Sequence, residues 1–136
     1  MPRRLLACLI LGSALLGSCA MVQEPRCASR ERAAVHELLY FGTARAGGVV
    51  SASEWSAFLA ATVTPRFPQG FSVWPVAGQW QSASDGIISE NAYVLDVVRE
   101  PGTVGDRAVQ EIVEAYKSQF QQEAVLRVRS DACISF

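Results

Sequence analysis

The 136-residue sequence holds a single histidine, His36. One imidazole excludes every metal centre built on repeated histidine ligands, and any Ser-His-Asp assembly would have to use that ring. No G-x-S-x-G elbow accompanies it, so its expected role is that of a strand-end side chain touching water. Phosphate loops of the G-x-x-x-x-G-K form are missing too, and Gly47-Gly48 reads as a plain loop. No metal and no cofactor are therefore expected. Lysine occurs once, at Lys117, and the 12 basic residues face 13 acidic ones, a formal charge of −1. A nucleic-acid binder carries a clustered basic surplus that displaces phosphate counterions. With no such cluster, nucleic acid drops out as a partner. No apolar run approaches the roughly 20 residues that a membrane-spanning helix needs.

Half of the chain is apolar and 18% is charged. That is globular composition, and the length suits one domain around one core. Arg3 and Arg4 precede an apolar or small stretch from Leu5 to Leu16, the pattern of an export signal. Taking these two arginines away from the 12 basic residues leaves 10 against 13 acidic ones, so the mature chain sits near −3.

The stretch Leu16-Gly17-Ser18-Cys19 resembles the bacterial lipobox, an aliphatic residue, two small ones and a cysteine. Small residues let the backbone enter a peptidase, and the cysteine sulfur takes a diacylglycerol group. The resemblance implies lipidation at Cys19, with acyl chains such as palmitate holding the protein to a membrane. The expected organisation is a signal peptide over 1–18, a lipidated tether over 19–33 and a folded domain over 34–136. Ala20 follows the cysteine in place of an inner-membrane-retaining aspartate, so the expected location is the outer membrane, facing the periplasm. Of the four cysteines, Cys8 leaves with the leader and Cys19 is acylated. Cys27 and Cys133 remain, an even pair that in an oxidising compartment reads as a disulfide.

Within the mature domain, Val35–Phe41 reads as a first strand. Ser51 and Glu54 form a capping box, and Trp55, Phe58, Leu59, Thr62 and Val63 then recur at helical spacing until Pro65 stops the helix. Phe71–Gln81 reads as a second strand, placed at a sheet edge by Pro75, which cannot donate to a ladder. Ser82–Gly86 closes a hairpin into a third strand, Tyr93–Val98, apolar enough to be central. Thr103 and Asp106 offer caps to a second helix that buries Val109, Ile112, Val113, Tyr116 and Phe120. A last strand runs over Ala124–Phe136. The order β-α-β-β-α-β is that of the α+β ferredoxin-like fold, a four-stranded antiparallel sheet of order 4-1-3-2 with two helices on one face. Strands one and four are then neighbours, which brings Cys27 within disulfide reach of Cys133.

Arg66, in the proline-stiffened loop Thr64–Phe71, is a candidate ligand-binding residue because its planar fork suits an anion, although the favoured reading is a loop that links helix to edge strand along a path set by its prolines. The sheet face away from the helices supplies the other candidates. Alternation is expected to place Asp96, Arg127 and Arg129 there beside Val94 and Val98, and a partly apolar open sheet usually becomes an interface or ligand surface. Trp74 and Trp80 join that face or the core.

Leu39-Tyr40-Phe41-Gly42, Glu54-Trp55 with Phe58-Leu59, Val63 to Pro68 with Gly70-Phe71, Gly78-Gln79-Trp80, Tyr116-Lys117 and Val125 to Val128 together resemble a family of small bacterial lipoproteins known as a domain of unknown function. The likeness covers about Leu38 to Phe136. It implies secretion, lipid attachment and a compact α+β domain, and it transfers no catalytic residue. The leading expectation is a non-enzymatic envelope protein that binds a partner protein or small ligand through the open sheet. The alternative is a small enzyme of the dimeric ferredoxin-like kind, a homodimer with a pocket between two sheets, using Tyr40, Arg66, Asp96 or Arg127.

Overall fold

The computed structural model describes residues 27–84 and 86–136. The leader, Cys19 and most of the tether lie outside the described residues. Strand β1 spans Arg32–Gly42, and the short strands β2 (Ala44–Arg45) and β3 (Gly48–Val49) follow. Helix α1 (Ala52–Phe58) continues into a π-helical turn over Leu59–Val63. Strands β4 (Ser72–Ser82) and β5 (Gly86–Arg99), helix α2 (Thr103–Phe120) and strand β6 (Leu126–Ile134) complete the chain. The main sheet runs β4-β5-β1-β6 with every pair antiparallel, the expected α+β ferredoxin-like order. Pro75 stands on the edge strand β4, and the apolar strand β5 is internal.

Local chemistry explains the boundaries. Ser51 and Glu54 form the reciprocal capping box that opens α1, and the Glu54 carboxyl is held at about 2 by the Ser51 backbone and hydroxyl and by Arg45. The helix ends in a wide turn in which the Thr64 amide donates to the Leu59 carbonyl at 2.9 Å. This widening leaves Thr62 partly exposed and seats Val63 in the core. Helix α2 departs from expectation at its start: neither Thr103 nor Asp106 caps it. The N-cap is Gly102 at φ 128°, without a side-chain cap, and Asp106 is drawn to arginines instead. Gly47-Gly48, expected as a plain loop, bends the β2–β3 ribbon, in which Arg45 pairs with Gly48.

The core lies between the helices and one sheet face. Leu39 and Phe41 of β1 and Leu95 and Val97 of β5 meet Trp55 and Phe58 of α1 and Val109, Ile112, Tyr116 and Phe120 of α2. Trp55 stacks on Tyr93 with ring centroids 4.7 Å apart. The Tyr116 hydroxyl donates to the Gly42 carbonyl at 2.9 Å, and burial pushes its ionisation up. At one end Cys27 and Cys133 form a disulfide with Cα atoms 5.5 Å apart, as the neighbouring positions of β1 and β6 led us to expect.

Candidate functional site

Strand register assigns each candidate to a face. Directly opposed residues of an antiparallel pair share a face. On β1, Val35, Glu37, Leu39 and Phe41 are buried, so the helix side takes their partners. Arg127 pairs with Leu39 and Arg129 with Glu37, which turns both arginines toward the helices. The expectation that they line the open face is therefore corrected, and the reason lies one strand away. Fully buried Glu37 requires cationic partners, and the register that supplies them turns the apolar residues of β6 outward, leaving Leu126 60% exposed.

Around Glu37 a charge network ties sheet to helix. Its Oε1 accepts from Arg99 Nη2 at 2.6 Å and Arg127 Nη2 at 2.6 Å, and its Oε2 from Arg127 Nε at 2.6 Å. Asp106, in the first turn of α2, accepts from Arg99, and from Arg129 Nη1 at 3.0 Å. Burial pushes the Glu37 carboxyl up, but the hydrogen bonds from Arg127 and Arg99 outweigh burial and hold it below its ordinary value. Asp106 is held low in the same way, burial opposing and the Arg99 charge prevailing. The Glu37 hydrogen bonds in turn raise the ionisation of Arg127. Gly105 makes room for this packing: a Cβ there would lie 2.7 Å from Arg99 Nη1. The network satisfies its own charges, which is a fastening role.

The open face carries His36, Leu38 and Tyr40 of β1, Val94, Asp96 and Val98 of β5, Leu126 and Val128 of β6, and Trp74 of β4. His36 is more than a strand-end ring in water. Its Nε2 lies 2.8 Å from Asp96 Oδ1, an acid–imidazole couple with both groups half-buried among apolar neighbours. Ser130 stands opposite His36 on β6. Among the described residues, the backbone N–H groups of the central strands are spent in ladders.

The third candidate, Arg66, is elsewhere. Its Nε reaches Glu111 of α2 at 3.1 Å and its Nη1 the Thr62 carbonyl at 2.7 Å, clamping the loop to the helix. Arg66, Asp96 and Arg127 thus occupy three different surroundings.

Sequence reasoning missed the concavity. Beyond Ala92 strand β5 has no β1 partner, so Ala77–Ser82 and Gly86–Asn91 project as a two-stranded arm. Between this arm and the α2–β6 connection lies a groove of about 620 Å³. It is lined by Tyr40 and Gly42 of β1, by Gly78, Trp80 and Glu90 of the arm, and by Gln122, Ala124, Val125 and Leu126 opposite; Arg127 also borders it. Glu90 is fixed at one end, where its Oε2 accepts from the Ala44 amide at 2.9 Å. A Cβ on Gly42 would lie 2.6 Å from this carboxylate, so a side chain there would displace the Glu90 carboxylate from its present position. Gly78 differs: among the described residues nothing lies within 4 Å of a Cβ built there. A glycine inside a strand weakens it and often marks close approach by something else. The sequence signal was that glycine, standing between Val76 and Trp80 in an otherwise regular strand.

Residues 36–136 match the family described as "Protein of unknown function (DUF3574)". The chain belongs to this family. No curated protein matches the DUF3574 chain. Among solved structures it is similar to a phage SAM lyase in complex with S-methyl-5'-thioadenosine, with a TM-score of 0.57 and 15% identity over 82% of this chain and 95% of that one. A phage SAM lyase in its apo state gives 0.52 and 12%, covering 84% and 97%. CutA from Synechococcus elongatus, complexed with a Bis-Tris molecule, gives 0.50 and 17%, covering 77% and 87%. At such identities the likeness concerns the fold alone.

Proposed function

We propose that this DUF3574 protein is a lipid-anchored component of the cell envelope, tethered through Cys19 to the outer membrane, whose open-face groove binds a small amphipathic molecule. The carrying observation is the space in front of Gly78, walled by Trp80, Tyr40 and Leu126 and closed by the Glu90 carboxylate. Aromatic and aliphatic walls favour an apolar body, and Glu90 favours a hydrogen-bond-donating or cationic end. The neutral dye Nile red is a suitable probe. The intact chain is expected to enhance its fluorescence saturably, and Gly78→Leu, which fills the groove from a strand position that tolerates leucine, to weaken binding at least tenfold. Equal binding by the leucine variant would overturn the groove assignment. Cys19→Ser is expected to move the protein from the membrane to the soluble fraction.

The second reading, a small dimeric enzyme, is favoured by one observation, the His36–Asp96 couple on the open face. It loses Arg66 and Arg127, whose guanidinium groups are engaged by Glu111 and Glu37. The lyase resemblance adds a scaffold and brings no residue to this reading.

A further inference from the structure

We infer that strand β6 is a homodimerisation edge, where two copies pair β6 against β6 about a two-fold axis through Ser130. This goes beyond the groove reading and does not depend on it. Both outer strands of the sheet offer backbone groups to a partner, but they differ in kind. Strand β4 carries Pro75, which has no N–H to donate. Strand β6 has no proline, and its register with β1 runs without a bulge from Leu126 opposite Tyr40 to Ile134 opposite Arg32. Natural proteins blunt such an edge with a bulge, a proline or repelling charge. Here the charge changes sign at the midpoint.

An antiparallel pairing centred on Ser130 sets Arg129 against Asp131 of the second copy, and Asp131 against its Arg129. Val128 then faces Ala132, and Leu126 faces Ile134. Opposite charges and apolar pairs directly across strands are the contacts that stabilise a ladder, and like charges there are destabilising. Arg129 and Asp131 are both exposed; Arg129 gives Nη1 to Asp106 at 3.0 Å and has further guanidinium donors, and Asp131 makes no ion pair among the described residues. A two-fold perpendicular to the sheet keeps both helix layers on one side. The two four-stranded sheets become one of eight, and the open faces join into a single surface.

Cysteine placement tests the register in the full-length protein. Ser130→Cys puts two thiols directly opposite, within the ~4.4–6.8 Å Cα range of a disulfide. A reductant-sensitive dimer is expected on a non-reducing gel, whereas Val128→Cys, which faces Ala132, stays monomeric. Adding Asp131→Arg to the Ser130→Cys protein, which leaves the Arg129–Asp106 pair in place, is expected to lower cross-linking at least tenfold, and further adding Arg129→Asp to restore it. Absence of the Ser130→Cys dimer, equal cross-linking through Val128→Cys, or failure of the charge swap to restore pairing would each overturn the inference. Nile red binding reads the groove separately.

Discussion

Glu37 shows how a charged residue survives in the middle of a sheet facing a core. A carboxylate there would be prohibitive alone, and the forked guanidinium groups of Arg99 and Arg127 make it tenable by occupying both oxygens. Removing one member strands the others. Glu37→Leu is expected to cost roughly 3–5 kcal/mol in denaturant unfolding, since buried Arg99 loses its main counter-charge. The acid side follows from the lowered carboxyls of Glu37 and Asp106. A depressed folded value means that the unfolded chain binds protons first, so the stabilisation is present above the ordinary values, 4.5 for Glu37 and 3.8 for Asp106, and is lost as pH falls through the lower folded ones. Unfolding curves between pH 5 and pH 2, a range set as an order-of-magnitude window, are expected to fall more steeply for the native protein than for Glu37→Gln. Gly105 gives a prediction of unusual sign. Alanine normally stabilises a helix interior by about 1 kcal/mol over glycine. Here Gly105→Ala is expected to lower the melting temperature, because its methyl group meets Arg99, whose position is set by Glu37.

At the scale of elements, the β4–β5 hairpin has two unlike halves. Its inner part is held in the sheet by β1, whereas the arm has a ladder only with itself and is tied down at its base, where the Asn91 carbonyl accepts from the Thr43 amide and the Glu90 carboxylate from the Ala44 amide. A lone two-stranded ribbon is marginal in water. Ile87 on this arm is 72% exposed, and no helix covers the arm's open-face tryptophan, Trp80. Hydrogen exchange followed by mass spectrometry is expected to show amides of Gly78–Gln81 and Ile87–Glu90 exchanging at least tenfold faster than those of Leu38–Phe41, because local opening of the arm breaks few apolar contacts. Equal protection would mean that the arm is covered in solution.

For the whole molecule, the disulfide joins residues separated by 106 positions and so closes nearly the whole folded domain into one loop. Constraining so long a loop in the unfolded chain makes the bridge a major contributor. Cys133→Ala is expected to reduce stability by roughly 2–5 kcal/mol, read from the denaturant midpoint. The same bridge ties the segment just before β1 to the end of β6, an edge strand.

The fold was legible because its determinants are local. Ser51 with Glu54 opens a helix, Pro65 ends it, Pro75 sends a strand to the edge and the Tyr93–Val98 run demands the interior, and these signals agree on one topology. The Cys27–Cys133 bridge followed from the even cysteine pair together with that topology, which makes strands one and four neighbours. The facing of Arg127 did not, because alternation marks which residues share a side without saying which side is covered. Buried Glu37 decided it from a neighbouring strand, through a contact separated by 90 positions. The His36–Asp96 couple and the groove beside Gly78 were hidden for the same reason: each is made by residues that only strand register brings together, and register is a property of the assembled sheet.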